Sequence, residues 1–178
     1  MSIATPHAHP DVRTPAPAPR SRWGGPWGLV ASLALTSVVA LIGGLWTDTG
    51  PDSWYAGLEQ PPWNPPDWLF GPVWTVLYVT MAVAAWLVVR VGGGGPAVRL
   101  GLALYTVQLA LNLGWTGLFF GLERPAWALV DNIALLVAIV ATAAVFAHTS
   151  RTAAAILVPY ALWVSFATAL TAAVVVLN

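Results

Sequence analysis

Residues 54–86 read WYAGLEQPPWNPPDWLFGPVWTVLYVTMAVAAW, a short acidic loop that runs straight into a long apolar segment. Five tryptophans and five prolines are crowded into this stretch. A polar linker between two membrane helices has no need of such bulky side chains, whereas a lid over an aromatic cavity does.

Working outward, the chain has 178 residues, of which 58% are hydrophobic and only 8% charged. Its mean hydropathy is +0.73. These values lie in the membrane class rather than the soluble globular one. The absence of cysteine excludes disulfides and thiolate metal ligands. A formal net charge of zero gives no reason to expect a nucleic-acid partner.

Five apolar stretches, about 26–46, 72–92, 97–121, 126–148 and 153–177, can each cross a bilayer. A span takes roughly 20 residues at ~1.5 Å each. Pro72 and Pro125 sit near expected helix starts, where a missing N–H costs nothing. The run 92–95 of four glycines, followed by Pro96, separates the second and third spans. Continuous rather than alternating apolar runs exclude a closed β-barrel. The expected fold is an all-α integral membrane protein: a five-transmembrane-helix bundle over residues 23–178, with the first loop as pocket lid.

The arginines set an expected topology. Arg13, Arg20, Arg22, Arg90, Arg99 and Arg151 fall on one side of five spans, and Arg124 alone on the other with Asp48, Asp52, Glu59, Asp67 and Glu123. The positive-inside rule then puts the N-terminus in the cytoplasm and the C-terminus and tryptophan loop outside. The expected location is a bacterial cytoplasmic membrane. Residues 1–22 are Pro/Ala-rich without apolar periodicity and read as a disordered cytoplasmic tail. They lack the layout of a signal peptide. His7 and His9 have no further ligand nearby and read as solvated residues, so no metal site and no cofactor are expected.

At about 100° per residue, the apolar helices still have distinguishable faces. On the third span Gly101, Tyr105, Gln108, Asn112, Trp115 and Phe119 form one stripe, and Gly114, Gly117 and Gly121 lie opposite. Amides in hydrocarbon need partners, so Gln108 and Asn112 face either neighbouring helices or a polar cavity. The glycine stripe suits close helix contact, within the chain or across a homodimer. Phe70, Trp74, Tyr78, Met81 and Ala85 share a face of the second span; Pro159, Trp163, Phe166, Ala167 and Leu170 share one of the fifth. The aromatic and amide positions converge on the outer half of the bilayer, beneath the loop. Trp23, Trp27, Trp46 and Trp127 lie near span ends, as interfacial anchors do. Asp131 is the one acidic residue inside an expected span. It lies about two turns from the outer end, and no second titratable group accompanies it for a proton relay.

The pattern W-Y-x-x-L-x-x-P-x-W-x-P-P-x-W-x-x-G-P-V-W-x-x-L-Y resembles the TspO/MBR family, the tryptophan-rich sensory and translocator proteins. Further matching motifs are LYTVQLALNLGW (104–115), FFG (119–121), WALVD (127–131) and VPYALWVSFAT (158–168). The resemblance implies a five-helix bundle, commonly homodimeric, whose first loop closes over a hydrophobic pocket. Its ligand-pocket positions correspond here to Trp54, Tyr55, Trp74, Tyr78, Asn112, Trp115, Trp163 and Ala167. Gln108 and Phe119 join them from the helix phasing. Thr171 stands where many relatives carry asparagine, and no basic residue follows Tyr160, so the cholesterol pattern described for animal members is not met.

The leading functional expectation is a membrane receptor or sensor that binds a tetrapyrrole or a similar hydrophobic small molecule. The macrocycle would stack on Trp74, Trp115 and Trp163, with Asn112 and Gln108 on its polar edge. His148 is remote, so binding should not require a porphyrin metal. Two alternatives stand beside this reading. One is light- and oxygen-dependent porphyrin breakdown with Trp74 and Trp163 as the redox-active side chains. The other is transport of porphyrins or amphiphiles.

Overall fold

A computed structural model describes residues 22–178; the expected tail, with His7 and His9, lies outside the described residues except for Arg22. Every regular element among the described residues is helical. α1 is Pro26–Trp46, α2 Phe70–Gly92, α3 Pro96–Thr116, α4 Pro125–Ala147, α5 Arg151–Ile156 and α6 Val158–Leu177. α5 and α6 form one span, Arg151–Leu177, so five helical segments cross the membrane.

Local chemistry sets the boundaries. α1, α3 and α4 each open on proline, whose missing N–H would have no intrahelical partner there. α2 starts two residues before the expected position because a 3-10 turn, Asp67–Leu69, feeds directly into it. Pro72 lies in its first turn, where no donor is required. α2 stops at Gly93, which adopts φ +61°, a conformation that only glycine takes without strain. In the fifth span Pro159 cannot donate to the carbonyl four residues back, and the helix breaks at Leu157. Ser150 caps α5 by accepting from the Ala153 N–H at 3.2 Å.

α3 does not end as an α-helix. Residues Gly117–Gly121 form a π turn in which the Leu122 N–H donates to the Gly117 carbonyl at 2.8 Å. Such widened turns place extra side chains on one face and recur at functional sites.

The spans form a ring. α1 packs on α2 and α3, α4 lies between α3 and α6, and α2 meets α5. Ser32 Oγ donates to the Ala82 carbonyl at 2.9 Å and Trp86 Nε1 to the Gly25 carbonyl at 3.0 Å. Both bonds tie α1 to α2 at the end nearer residue 22, hereafter the tail end. A Cβ on Gly101 would meet the Phe146 ring at 2.9 Å, so glycine there lets α3 and α4 approach closely.

Burial is uneven along the bundle axis. Met81, Ala85, Val88, Leu135, Ile139, Phe146, Leu157 and Tyr160 pack into a continuous core through the tail end and middle. At the opposite end, under the first loop, the bundle is hollow. The outer surface is apolar: Val130, Ile133, Val137 and Val140 form an exposed ridge on α4. Trp27, Trp68 and Trp127 are exposed near span ends, where an aromatic belt forms.

Candidate ligand cavity

The hollow is a cavity of about 400 Å³. Its floor is Tyr78 and Asn112, which belong to a hydrogen-bonded trio with the buried Tyr160 behind them. Tyr78 OH donates to Asn112 Oδ1 at 2.5 Å, and Asn112 Nδ2 donates to Tyr160 OH at 3.2 Å. Helices 2, 3 and 6 are thereby joined through one amide. Both functions of that amide are engaged, and Asn112 is only 2% exposed. Tyr78 has committed its proton to Asn112, so what it offers to the cavity is an acceptor lone pair.

The walls are aromatic on one side and small on the other. Trp74 lies 5.6 Å from Tyr78 and 6.2 Å from Tyr160, ring centre to ring centre. Trp115 stacks on Phe119 at 5.4 Å and meets Phe120 edge-on at 6.0 Å. Ala40, Gly43 and Gly44 of α1, with Thr47 at its C-cap, supply the small wall, and Ala167, Leu170, Thr171 and Val174 of α6 complete the enclosure.

The roof is the first loop, through Tyr55, Gln60 and Asn64. Asn64 Nδ2 donates to Tyr55 OH at 3.3 Å and also to Gln60 Oε1. Burial raises the Tyr55 phenol above its ordinary value, while the Asn64 hydrogen bond opposes the shift. Tyr55 therefore stays neutral at working pH. Its ring also packs on Phe119 and Phe120, which anchors the start of the loop to the π turn. The far part of the loop is anchored separately, by Trp63 edge-on to Phe166 at 5.8 Å.

Of the residues expected at the site, Tyr55, Trp74, Tyr78, Asn112, Trp115, Phe119 and Ala167 come together on the cavity wall. Trp54, Gln108 and Trp163 are not on that wall. Trp54 braces Phe119 edge-on at 5.7 Å. Gln108 is fully buried a turn below Asn112, with Nε2 toward Met81 Sδ at 3.9 Å and Oε1 without a partner among the described residues. Trp163 packs between Phe70, at 5.8 Å, and Phe166, at 5.5 Å.

Several lining residues had no place in the sequence reading. Phe120 is one: regular helical phasing puts it 100° from Phe119, and the π turn brings both to the cavity. The α1 wall is another, and its visible signal was the Gly43–Gly44 pair in an otherwise bulky span.

The three glycines opposite the cavity differ among themselves. A Cβ on Gly114 would meet Asp131 Oδ1 at 3.0 Å, and one on Gly117 would meet the Trp46 ring at 3.1 Å. One on Gly121 would meet nothing. Asp131 thus sits against the α3 backbone, with Oδ2 buried and without a partner among the described residues.

The family model described as TspO/MBR matches residues 32–177. The chain is 43% identical over 151 residues to tryptophan-rich protein TspO of Chlorobaculum tepidum, covering 84% of this chain and 95% of that one. It is 44% identical over 118 residues to the human translocator protein, covering 66% and 70% of the two chains. A tryptophan-rich sensory protein of Cereibacter sphaeroides is 42% identical over 120 residues, covering 67% and 73%.

Proposed function

The chain belongs to the TspO/MBR family, and on that premise we propose that it is a membrane receptor taking a flat hydrophobic ligand of the tetrapyrrole class into the cavity under its first loop. The observation that carries this reading is the lining: Trp74, Tyr78, Trp115, Phe119 and Phe120 on a roofed hollow of about 400 Å³. That volume lies within the ~300–1,000 Å³ typical of small-molecule pockets. Aromatic walls suit a planar conjugated ring, each well-placed contact adding about 0.5–1.5 kcal/mol beyond area burial.

The polar groups refine the ligand. With its proton held by Asn112, Tyr78 favours a ligand that donates an N–H. Asn112 acts through Tyr78, and Gln108 supports the floor from below. The arginine asymmetry supports an orientation with the loop outside and the N-terminus cytoplasmic. The loop side then carries Asp48, Asp52, Glu59, Asp67 and Glu123 against Arg124 alone. That field disfavours anionic substituents, so a neutral tetrapyrrole or a neutral derivative is the better fit.

Titration of the protein in lipid nanodiscs with protoporphyrin IX dimethyl ester tests the reading. Saturable quenching of tryptophan fluorescence is expected, with affinity at least tenfold weaker in Trp74→Ala. Linear, non-saturable quenching by the wild type would remove it.

A further inference from the structure

We propose that the ligand enters this cavity sideways from the bilayer, through a slot between the loop ends of α1 and α2, and not through the roof. The inference rests on the cavity being a ligand site, as proposed above.

The flanks of the cavity are closed unequally. Between α2 and α6, four rings shut the wall: Trp63 against Phe166, and Phe70 against Trp163, which also meets Phe166. Between α1 and α3, Gly43 faces the Thr116 side chain and Trp46 covers Gly117. Between α1 and α2 the wall consists of Gly44 on one side and Gly71 and Thr75 on the other. All three are exposed. A Cβ added to Gly44 or to Gly71 would meet nothing within 4 Å. Among the described residues, no hydrogen bond or ring contact crosses from residues 40–47 to 70–75.

The slot lies at membrane depth. Gly44 is ~3 Å and Ala40 ~9 Å along the axis from the loop end of α1, and Thr75 is ~8 Å into α2. Leu41, Leu45 and Val76, all exposed, flank it as lipid-facing side chains. The Thr75 hydroxyl donates to the Gly71 carbonyl at 2.9 Å and the Thr47 hydroxyl to the Gly43 carbonyl at 3.0 Å. The mouth therefore offers lipid no unpaired threonine donor. With glycine on both sides no side chain from Gly44 or Gly71 crosses the slot, which leaves room for a flat molecule to pass edge-on. The ligand class this selects is a neutral, planar amphiphile already dissolved in the leaflet on the loop side.

The roof is fastened instead. Tyr55 and Trp63 tie it to two different helices, and Asn178 hydrogen-bonds its backbone.

The chain contains no cysteine, so Thr116→Cys would put a single thiol inside the cavity. Its labelling rate in nanodiscs is compared for N-phenylmaleimide, which partitions into lipid, and a sulfonated methanethiosulfonate, which does not. Expected is labelling by the lipid-soluble reagent that slows at least tenfold when Gly44→Trp and Gly71→Trp are added, and negligible labelling by the charged one. Gly71→Leu alone, a smaller wedge, should slow it severalfold and serves if the double variant fails to fold. An unchanged maleimide rate in a folded wedge variant, or labelling by the charged reagent as fast as by the lipid-soluble one, would overturn the proposal. No porphyrin is used, so failure of the route and failure of the proposed occupant are separate outcomes.

Discussion

Asn178 holds Glu59 by both of its backbone polar groups: Oδ1 accepts from the Glu59 N–H at 3.0 Å, and Nδ2 donates to the Glu59 carbonyl at 3.1 Å. One side-chain amide thus mimics a strand neighbour and fastens the middle of the roof to the end of α6. Each such bond contributes about 0.5–1.5 kcal/mol when shielded, and less where water competes. Asn178→Ala should raise amide hydrogen exchange across residues 55–64 by about tenfold and leave the core of α4 unchanged. Exchange in the loop equal to wild type would show that the aromatic anchors alone hold it.

The Tyr78–Asn112–Tyr160 trio makes a stability prediction that differs from its binding prediction. Asn112→Leu strands two phenol groups in an apolar interior. Polar side-chain bonds in membranes average about 0.6 kcal/mol each, so the pair is worth about 1 kcal/mol. Tyr78→Phe loses only one bond but removes the acceptor that faces the cavity. Thermal unfolding in detergent should therefore rank Asn112→Leu as the less stable variant. Porphyrin titration should show at least as large an affinity loss in Tyr78→Phe.

Trp74 and Trp163 separate binding from packing. Trp74 lines the cavity, whereas Trp163 stands outside its wall beside Phe70 and Phe166. Trp74→Ala should weaken porphyrin binding tenfold or more, about 1.4 kcal/mol, and Trp163→Phe by less than threefold. Illumination of the porphyrin complex in air adds a second readout. If the protein degrades its ligand, bleaching should slow in Trp74→Phe and persist in Trp163→Phe; the same bleaching rate in the two variants would exclude Trp74 as the electron donor.

The glycine trio divides by neighbour. Gly114→Leu collides with Asp131, and Gly117→Leu with the Trp46 ring, so each should destabilise the folded chain by about 1–3 kcal/mol. A Cβ at Gly121 would meet no atom within 4 Å and the residue is exposed, so Gly121→Leu should change stability by less than about 0.5 kcal/mol. If these residues also form a seam between two copies, sedimentation will show Gly121→Leu shifting toward monomer at unchanged unfolding temperature.

The spans were legible because membrane crossing imposes long unbroken apolar runs, and proline marked most of their starts. The cavity was legible in part, from phasing: Trp74, Tyr78, Asn112 and Trp115 sit where a regular helix puts them. Phe120 was not, because a π turn breaks the 100° rule within five residues. Trp163 shares a face with Ala167, yet only Ala167 lines the hollow. A helix face can span both a pocket wall and the packing beside it, and a sequence stripe does not mark where one gives way to the other. The Asn178–Glu59 pairing spans 119 residues and leaves no local trace.

The uneven filling of the bundle has a consequence for how the molecule holds together. A helix bundle with a tight core at one end and about 400 Å³ of empty space at the other is an unfinished solid. Whatever enters supplies the missing interior, so occupancy and cohesion become one quantity. A ligand at a hundred times its dissociation constant would add about 2.7 kcal/mol to the folded state. The protein's own melting temperature is then a gauge of what the membrane around it contains.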